Sequence, residues 1–93
     1  MSGAPEERRA RLRVTSAEPS ALAADIRAAL AQPGLGALTI DLDGADFLDD
    51  EVAPVLRRAC AAAEAAGIAL VIAATRPGPQ RWLRRHGLAG GGA

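Results

Sequence analysis

The chain has very little of several residue types, and each shortage narrows what the protein can be. Cys60 is the only cysteine among 93 residues, which excludes an intrachain disulfide and is typical of a reducing compartment. Lysine is absent, and the formal net charge is zero, so there is no overall attraction to nucleic acid or to an anionic membrane. No apolar run approaches the roughly 18 residues needed to span a bilayer. No signal-peptide pattern opens the chain. We therefore expect a cytoplasmic protein with no nucleic-acid partner and no direct membrane insertion.

The length predicts one small domain, because 93 residues leave little room for both a core and a deep catalytic cleft. Residues 1–10 are polar, contain glycine and proline, and show no period, while residues 90–93 are nearly all glycine. We predict that both segments are flexible tails and that a single domain covers residues 11–89.

Three strands and three helices are predicted in alternation. The strands are predicted at residues 11–16, 37–42 and 68–74. The first two alternate between polar and apolar residues, whereas the third is continuously apolar, as in the central strand of a parallel sheet. The helices are predicted from Pro19 to Gln32, from Glu51 or later to Gly67, and from Pro77 to Gly87. This order predicts an α/β fold with a small, mostly parallel sheet, covered by helices more fully on one face.

Six carboxylates fall within eleven residues, where the second strand leads into the second helix. They are Asp41, Asp43, Asp46, Asp49, Asp50 and Glu51. The sequence IDLDG at residues 40–44 resembles the DxDG signature of haloacid-dehalogenase-type phosphohydrolases. That resemblance implies Asp41 as nucleophile, Asp43 as general acid/base and Thr75 as a phosphate-binding threonine. However, the chain has no lysine to balance a phosphoryl group, and no acidic pair follows Glu64 to complete a Mg²⁺ site. We therefore expect no catalysis.

A metal pocket is a second interpretation of the same segment, because its carboxylates are hard oxygen ligands. The spacing does not match the twelve-residue calcium loop: position 46 is aspartate where glycine is needed, and position 52 is valine where glutamate is needed. The helix dipole alone accounts for the acids at positions 49–51. The sequence predicts no metal and no cofactor.

Residues 38–88 resemble a STAS domain, the fold of anti-sigma-factor antagonists and of the cytoplasmic ends of sulphate transporters. The resemblance is carried by IDLDGA at 40–45, FL at 47–48, Asp49, AAG at 65–67, LVI at 70–72 and WLRRHGL at 82–88. It implies a STAS-like α/β fold that works by binding another protein.

The sequence departs from that family at the functional site. In the family, Asp-Ser-Ser-Gly opens the second helix, and the second serine accepts phosphate from an anti-sigma kinase, where the helix dipole stabilises the added dianion. Here Asp50 and Glu51 occupy the serine positions and Val52 the glycine position, and no serine or threonine lies between Thr39 and Thr75. The usual phosphorylation is therefore impossible. The resemblance implies a partner-binding or switch surface made of Asp43, Asp49, Asp50, Glu51 and Val52.

The sequence thus favours an anti-sigma-factor antagonist-type regulator whose partner is an anti-sigma factor or a serine-kinase-type regulator. The alternative is a STAS accessory subunit that docks on a membrane transporter, since docking needs no phosphoryl switch. In the last helix, Arg81, Arg84 and Arg85 share one face, which we interpret as a solvated face. No partner can be identified for His86, the only histidine.

Overall fold

The computed structural model describes residues 8–15, 18–45 and 48–88. In these residues the elements are β1 (Arg8–Arg13), α1 (Pro19–Leu30), β2 (Leu35–Asp41), α2 (Val52–Ala65), β3 (Ala69–Ala73) and α3 (Pro77–Arg85). The strands form one parallel sheet in the order β1-β2-β3. The predicted α/β class and the parallel sheet are confirmed.

Two predictions about the strands are wrong. β1 begins at Arg8, so residues 8–10 belong to the sheet and not to the predicted tail. The other residues of the two predicted tails, 1–7 and 90–93, lie outside the described residues, as do 16–17, 46–47 and 89. β3 is not central, because β2 pairs with a strand on each side. Only Ile72 of β3 is buried, and the neighbouring Val71 is 44% exposed. A continuous apolar run therefore did not identify the central strand here.

The helix boundaries follow from local sequence signals. Pro19 opens α1, and the Glu18 side chain caps it by accepting two backbone hydrogen bonds at 2.8 and 3.2 Å. Pro54 lies in the first turn of α2, where an N–H would have no intrahelical acceptor, so it does not interrupt the helix. Gly67 and Gly87 follow α2 and α3 with φ of 73° and 68°, as predicted, because this left-handed region favours glycine.

Most of the core lies between the sheet and two of the helices, since α1 packs on β1, β2 and α2, and α2 also packs on β3. The third helix, α3, adds Trp82 and Leu83 to the core. The apolar face of β2 carries Leu38 and Ile40 and leads to Leu42 just after the strand, and each of these side chains is at most 1% exposed. Burying each of them fully stabilises the fold by about 1.5–3 kcal/mol. This packing fixes the carboxyl end of β2, from which the acidic segment leaves the sheet.

The loop after β2 runs tightly against the end of β1. Leu42 donates its N–H to the Ala73 carbonyl at 2.9 Å, and Val14 donates its N–H to the Asp41 carbonyl at 2.8 Å. A Cβ atom at Gly44 would lie 2.8 Å from the Val14 carbonyl oxygen, closer than a carbon can approach. Any side chain at position 44 would therefore force the loop after β2 or the end of β1 to shift.

Candidate functional site

Asp43 joins the loop after β2 to the loop after β3. Its carboxylate accepts hydrogen bonds from the Thr75 hydroxyl at 2.6 Å, from the Thr75 N–H at 2.8 and 2.9 Å, and from the Arg76 N–H at 3.0 Å. The Arg76 guanidinium donates to the Asp43 carbonyl at 3.0 Å. These donors, the Thr75 hydroxyl first among them, hold the pKa of Asp43 below its ordinary value of 3.8. Asp43 thus uses its carboxylate to fasten two loops together.

Asp41 ends β2 and is 7% exposed. The Arg11 guanidinium of β1 donates to its Oδ2 atom at 2.8 and 3.2 Å, and the Asp43 N–H donates to its Oδ1 atom at 2.9 Å. The hydrogen bond from Arg11 is the main reason that the pKa of Asp41 lies below its ordinary value. Both carboxylate oxygens of Asp41 therefore accept hydrogen bonds from other residues of the chain. We call Asp41 and Asp43 the strand-end pair.

Asp49, Asp50 and Glu51 form a turn that leads into α2, and we call these three residues the acidic helix start. The Asp49 side chain accepts a hydrogen bond from the Glu51 N–H at 3.2 Å, and its carbonyl accepts one from the Val52 N–H at 3.0 Å. Glu51 is the N-cap residue, yet its side chain makes no capping hydrogen bond. Asp49 therefore performs the capping, and the Glu51 carboxylate remains exposed.

Asp50 connects the acidic helix start to the end of α3. Its Oδ1 atom lies 3.0 Å from His86 Nε2 and 3.6 Å from Arg85 Nη2. The His86 ring also packs against Trp82 with centroids 4.5 Å apart, and the Arg57 guanidinium donates to the His86 carbonyl at 2.7 Å. The sequence offered no partner for His86, because Asp50 is 36 positions away and only the fold brings the two together.

The structure divides the five residues predicted to form the switch surface. Val52 is 0% exposed and anchors the start of α2 in the core, so its side chain is not available to a partner in this fold. Asp43 is half-buried, and its carboxylate already accepts hydrogen bonds from Thr75 and Arg76. The exposed part of the predicted surface is the acidic helix start alone.

A cavity of about 700 Å³ adjoins this surface and was missed by sequence reasoning. It opens between the loop after β2 and α3, and Arg76, Arg81 and Arg85 line it around Trp82. We call it the arginine cavity. The one-turn spacing of Arg81 and Arg85 was the available signal, but that spacing also fits a solvated helix face. The loop residues that complete the cavity come from a distant part of the sequence.

The described part of the chain gives little support for a metal site, a membrane-spanning helix or a reactive cysteine. Among residues 8–15, 18–45 and 48–88, no three histidine, cysteine, aspartate or glutamate side chains form a group that could hold a metal ion. None of the helices described there is long and apolar enough to cross a bilayer. Burial raises the pKa of the Cys60 thiol, which disfavours the reactive thiolate.

A match to a protein-family model relates this fold to known proteins. The model of the STAS domain matches residues 9–90, which include nearly all of β1 and every later element. No curated protein and no solved structure matches the chain. STAS domains are generally non-enzymatic and typically bind other proteins, in anti-sigma-factor antagonists or in association with transporters. On the extent of this match, the chain belongs to the STAS domain family.

Proposed function

We propose that this STAS domain is an anti-sigma-factor antagonist-type regulator held permanently in one binding mode. Its partner is an anti-sigma factor or a serine-kinase-type regulator, and its contact surface is the acidic helix start. The observation that carries the proposal is the exposed Glu51 carboxylate at the N-cap of α2, where the family resemblance implies a phosphorylated serine.

A fixed state follows from the chemistry of the segment. No hydroxyl side chain lies between Thr39 and Thr75, so a kinase has no acceptor near the start of α2. Glu51 carries one negative charge where phosphoserine carries nearly two, so it imitates the modified serine only in part. Asp50, at the other serine position, is exposed and lies 3.0 Å from His86 Nε2 and 3.6 Å from Arg85 Nη2. The charge of this surface therefore cannot be changed by phosphorylation of a residue within the segment.

The contacts of the strand-end pair argue against the phosphohydrolase alternative. Asp41, the nucleophile of that interpretation, has a donor on each carboxylate oxygen, and the guanidinium of Arg11 reduces its nucleophilicity. Thr75 donates its hydroxyl to Asp43 and does not offer it to a phosphate. A phosphoester assay with added Mg²⁺ serves as the control, and turnover that vanishes in Asp41→Asn would overturn the non-enzymatic assignment.

Isothermal titration against purified anti-sigma factors and serine-kinase-type regulators from the same genome tests the proposal. The wild-type chain is expected to bind one of them, and Glu51→Gln is expected to weaken binding by about tenfold, because hydrogen bonds to a charged group are worth about 1.5–3 kcal/mol. Glu64→Gln is the matched control, since Glu64 is an exposed glutamate near the other end of α2.

Three results separate the alternatives. Equal weakening by Glu51→Gln and Glu64→Gln would mean that overall charge, and not the acidic helix start, governs binding. Absence of detectable affinity for every candidate regulator would reject this class of partner. Capture of the chain by the cytoplasmic part of a membrane transporter, with none of these regulators bound, would favour the accessory-subunit alternative.

A further inference from the structure

The arginine cavity has an apolar floor and a cationic rim. The floor contains Ala45, Leu48 and Trp82, which are 3%, 9% and 6% exposed. The rim carries the exposed side chains of Arg81 and Arg85, and Arg76 continues it at the loop after β3. No aspartate or glutamate is among the described residues that line the cavity. The cavity therefore combines a mostly buried apolar floor with a cationic rim.

The charge of this rim is only partly balanced from within the fold. Arg85 lies 3.6 Å from Asp50, and both side chains are about 70% exposed, so that ion pair is weak. Arg81 makes no hydrogen bond or ion pair with any other residue in the described part of the chain. Among the described residues, a negatively charged group entering the cavity would thus find no carboxylate paired with the Arg81 guanidinium.

The shape and donors of the cavity distinguish between classes of anion. A small anion such as phosphate needs several donors that converge on one point. The first turn of α3 offers only the Gly78 N–H, because Pro77 and Pro79 have none, and the Arg81 and Arg85 side chains are exposed to solvent. An extended peptide can instead place an apolar side chain on the floor and carboxylates against the rim. Tryptophan and arginine are also the residues enriched where protein partners bind most strongly.

We propose that the arginine cavity binds an acidic segment of a protein partner, with an apolar side chain of that segment seated against Trp82. This inference rests on the proposed function in one respect, namely that the chain works by binding a protein. It adds a second contact of opposite charge beside the acidic helix start. A partner must therefore present a basic patch to Glu51 and an acidic segment to Arg81, which gives the pair both orientation and specificity.

Fluorescence of the full chain reports on this site directly, because Trp82 is the only tryptophan. A panel of short synthetic peptides is titrated, each with aspartates and glutamates flanking one leucine or phenylalanine. The same peptides with asparagine and glutamine in place of the acids are the controls. The acidic peptides are expected to give a saturable change in Trp82 emission that weakens as salt rises, whereas the neutral peptides give none.

A charge-reversal pair of variants tests the location. Arg81→Glu is expected to raise the Kd of the acidic peptides at least about tenfold, because a like charge then faces them. Arg84→Glu makes the same charge change on the same helix but outside the cavity lining, and it is expected to keep the Kd within about twofold in physiological salt. Circular dichroism checks that both variants are folded, and both positions are exposed.

Each contrary result overturns the inference. No response to any acidic peptide would remove the site, and equal losses in the two variants would reduce it to unspecific charge attraction. Saturable binding of inorganic phosphate that depends on Arg81, without peptide binding, would make it a small-anion site. These results leave the proposed function intact if a regulator still binds through Glu51. If the chain bound the acidic peptides but none of the regulators, the proposed function would be rejected and the inference about the arginine cavity would stand.

Discussion

The strand-end pair and the acidic helix start carry the same kind of side chain, but the fold uses them differently. Asp41 and Asp43 receive hydrogen bonds from β1 and from the loop after β3, and both have a lowered pKa. The carboxylates of the acidic helix start are exposed, and Glu51 makes no capping hydrogen bond. A dense acidic stretch is therefore two regions: one that holds the edge of the sheet together, and one that is available to a partner.

The largest effect is expected from filling the space beside the strand-end pair. Gly44→Ala should lower the free energy of unfolding by about 1–3 kcal/mol, because the new Cβ atom would meet the Val14 carbonyl and the loop must shift. Gly78→Ala is the control, since a Cβ atom there has no heavy atom within 4 Å. Urea denaturation measures both. Similar stability of the two variants would mean that the loop after β2 adapts freely.

Removal of one charge from each region should separate their roles. Asp43→Asn turns an amide group toward the N–H donors of Thr75 and Arg76, so the urea midpoint should fall clearly. Glu51→Gln should leave the midpoint unchanged within error, because the exposed side chain caps nothing. If both variants lost stability equally, the distinction between an anchoring and an available carboxylate would be wrong.

Acid should weaken the fold through the strand-end pair. A carboxyl group whose pKa is lower in the folded chain than in the unfolded one stabilises the fold above the unfolded value, here about 3.8, and this stabilisation is lost as pH falls through the folded pKa. The free energy of unfolding should thus decline below about pH 4. Asp43→Asn should reduce that slope. If the free energy of unfolding of Asp43→Asn declined with pH as steeply as that of the wild-type chain, groups other than Asp43 would cause the acid sensitivity.

The smallest effect is expected where the acidic helix start touches α3. Asp50 is 74% exposed, so its contacts with His86 and Arg85 should contribute at most about 1 kcal/mol to stability. A double-mutant cycle of Asp50→Asn and His86→Gln, followed by urea denaturation, measures the coupling between the two residues. A coupling well above that value would make this contact an anchor comparable with the strand-end pair.

Features governed by neighbouring residues were predictable. Pro19, Gly67 and Gly87 marked helix ends through backbone constraints that act locally. The alternation in β2 identified its buried face, because side chains on a strand point to opposite faces in turn. The STAS resemblance also located the acidic helix start immediately before α2. These parts of the fold and site needed no knowledge of distant contacts.

The candidate site was less predictable, because its contacts join residues far apart in sequence. Thr75 and Arg76 lie more than thirty positions from Asp43, and His86 lies further still from Asp50. The predicted central position of β3 in the sheet was also wrong, because an apolar run does not show which strands pair with which. The arginine cavity likewise combines residues of two loops and one helix.

The sequence by itself determined the α/β alternation, most helix ends, the family and the absence of serine and threonine between Thr39 and Thr75, because these depend on residue type and short spacing. Only the tertiary structure decided which carboxylates are anchors and which are exposed. The charge and hydrogen-bonding capacity of an aspartate are the same at positions 43 and 50. Its role depends on the donors that the folded chain brings to it: Thr75 and Arg76 fix the first, while the second remains largely in water.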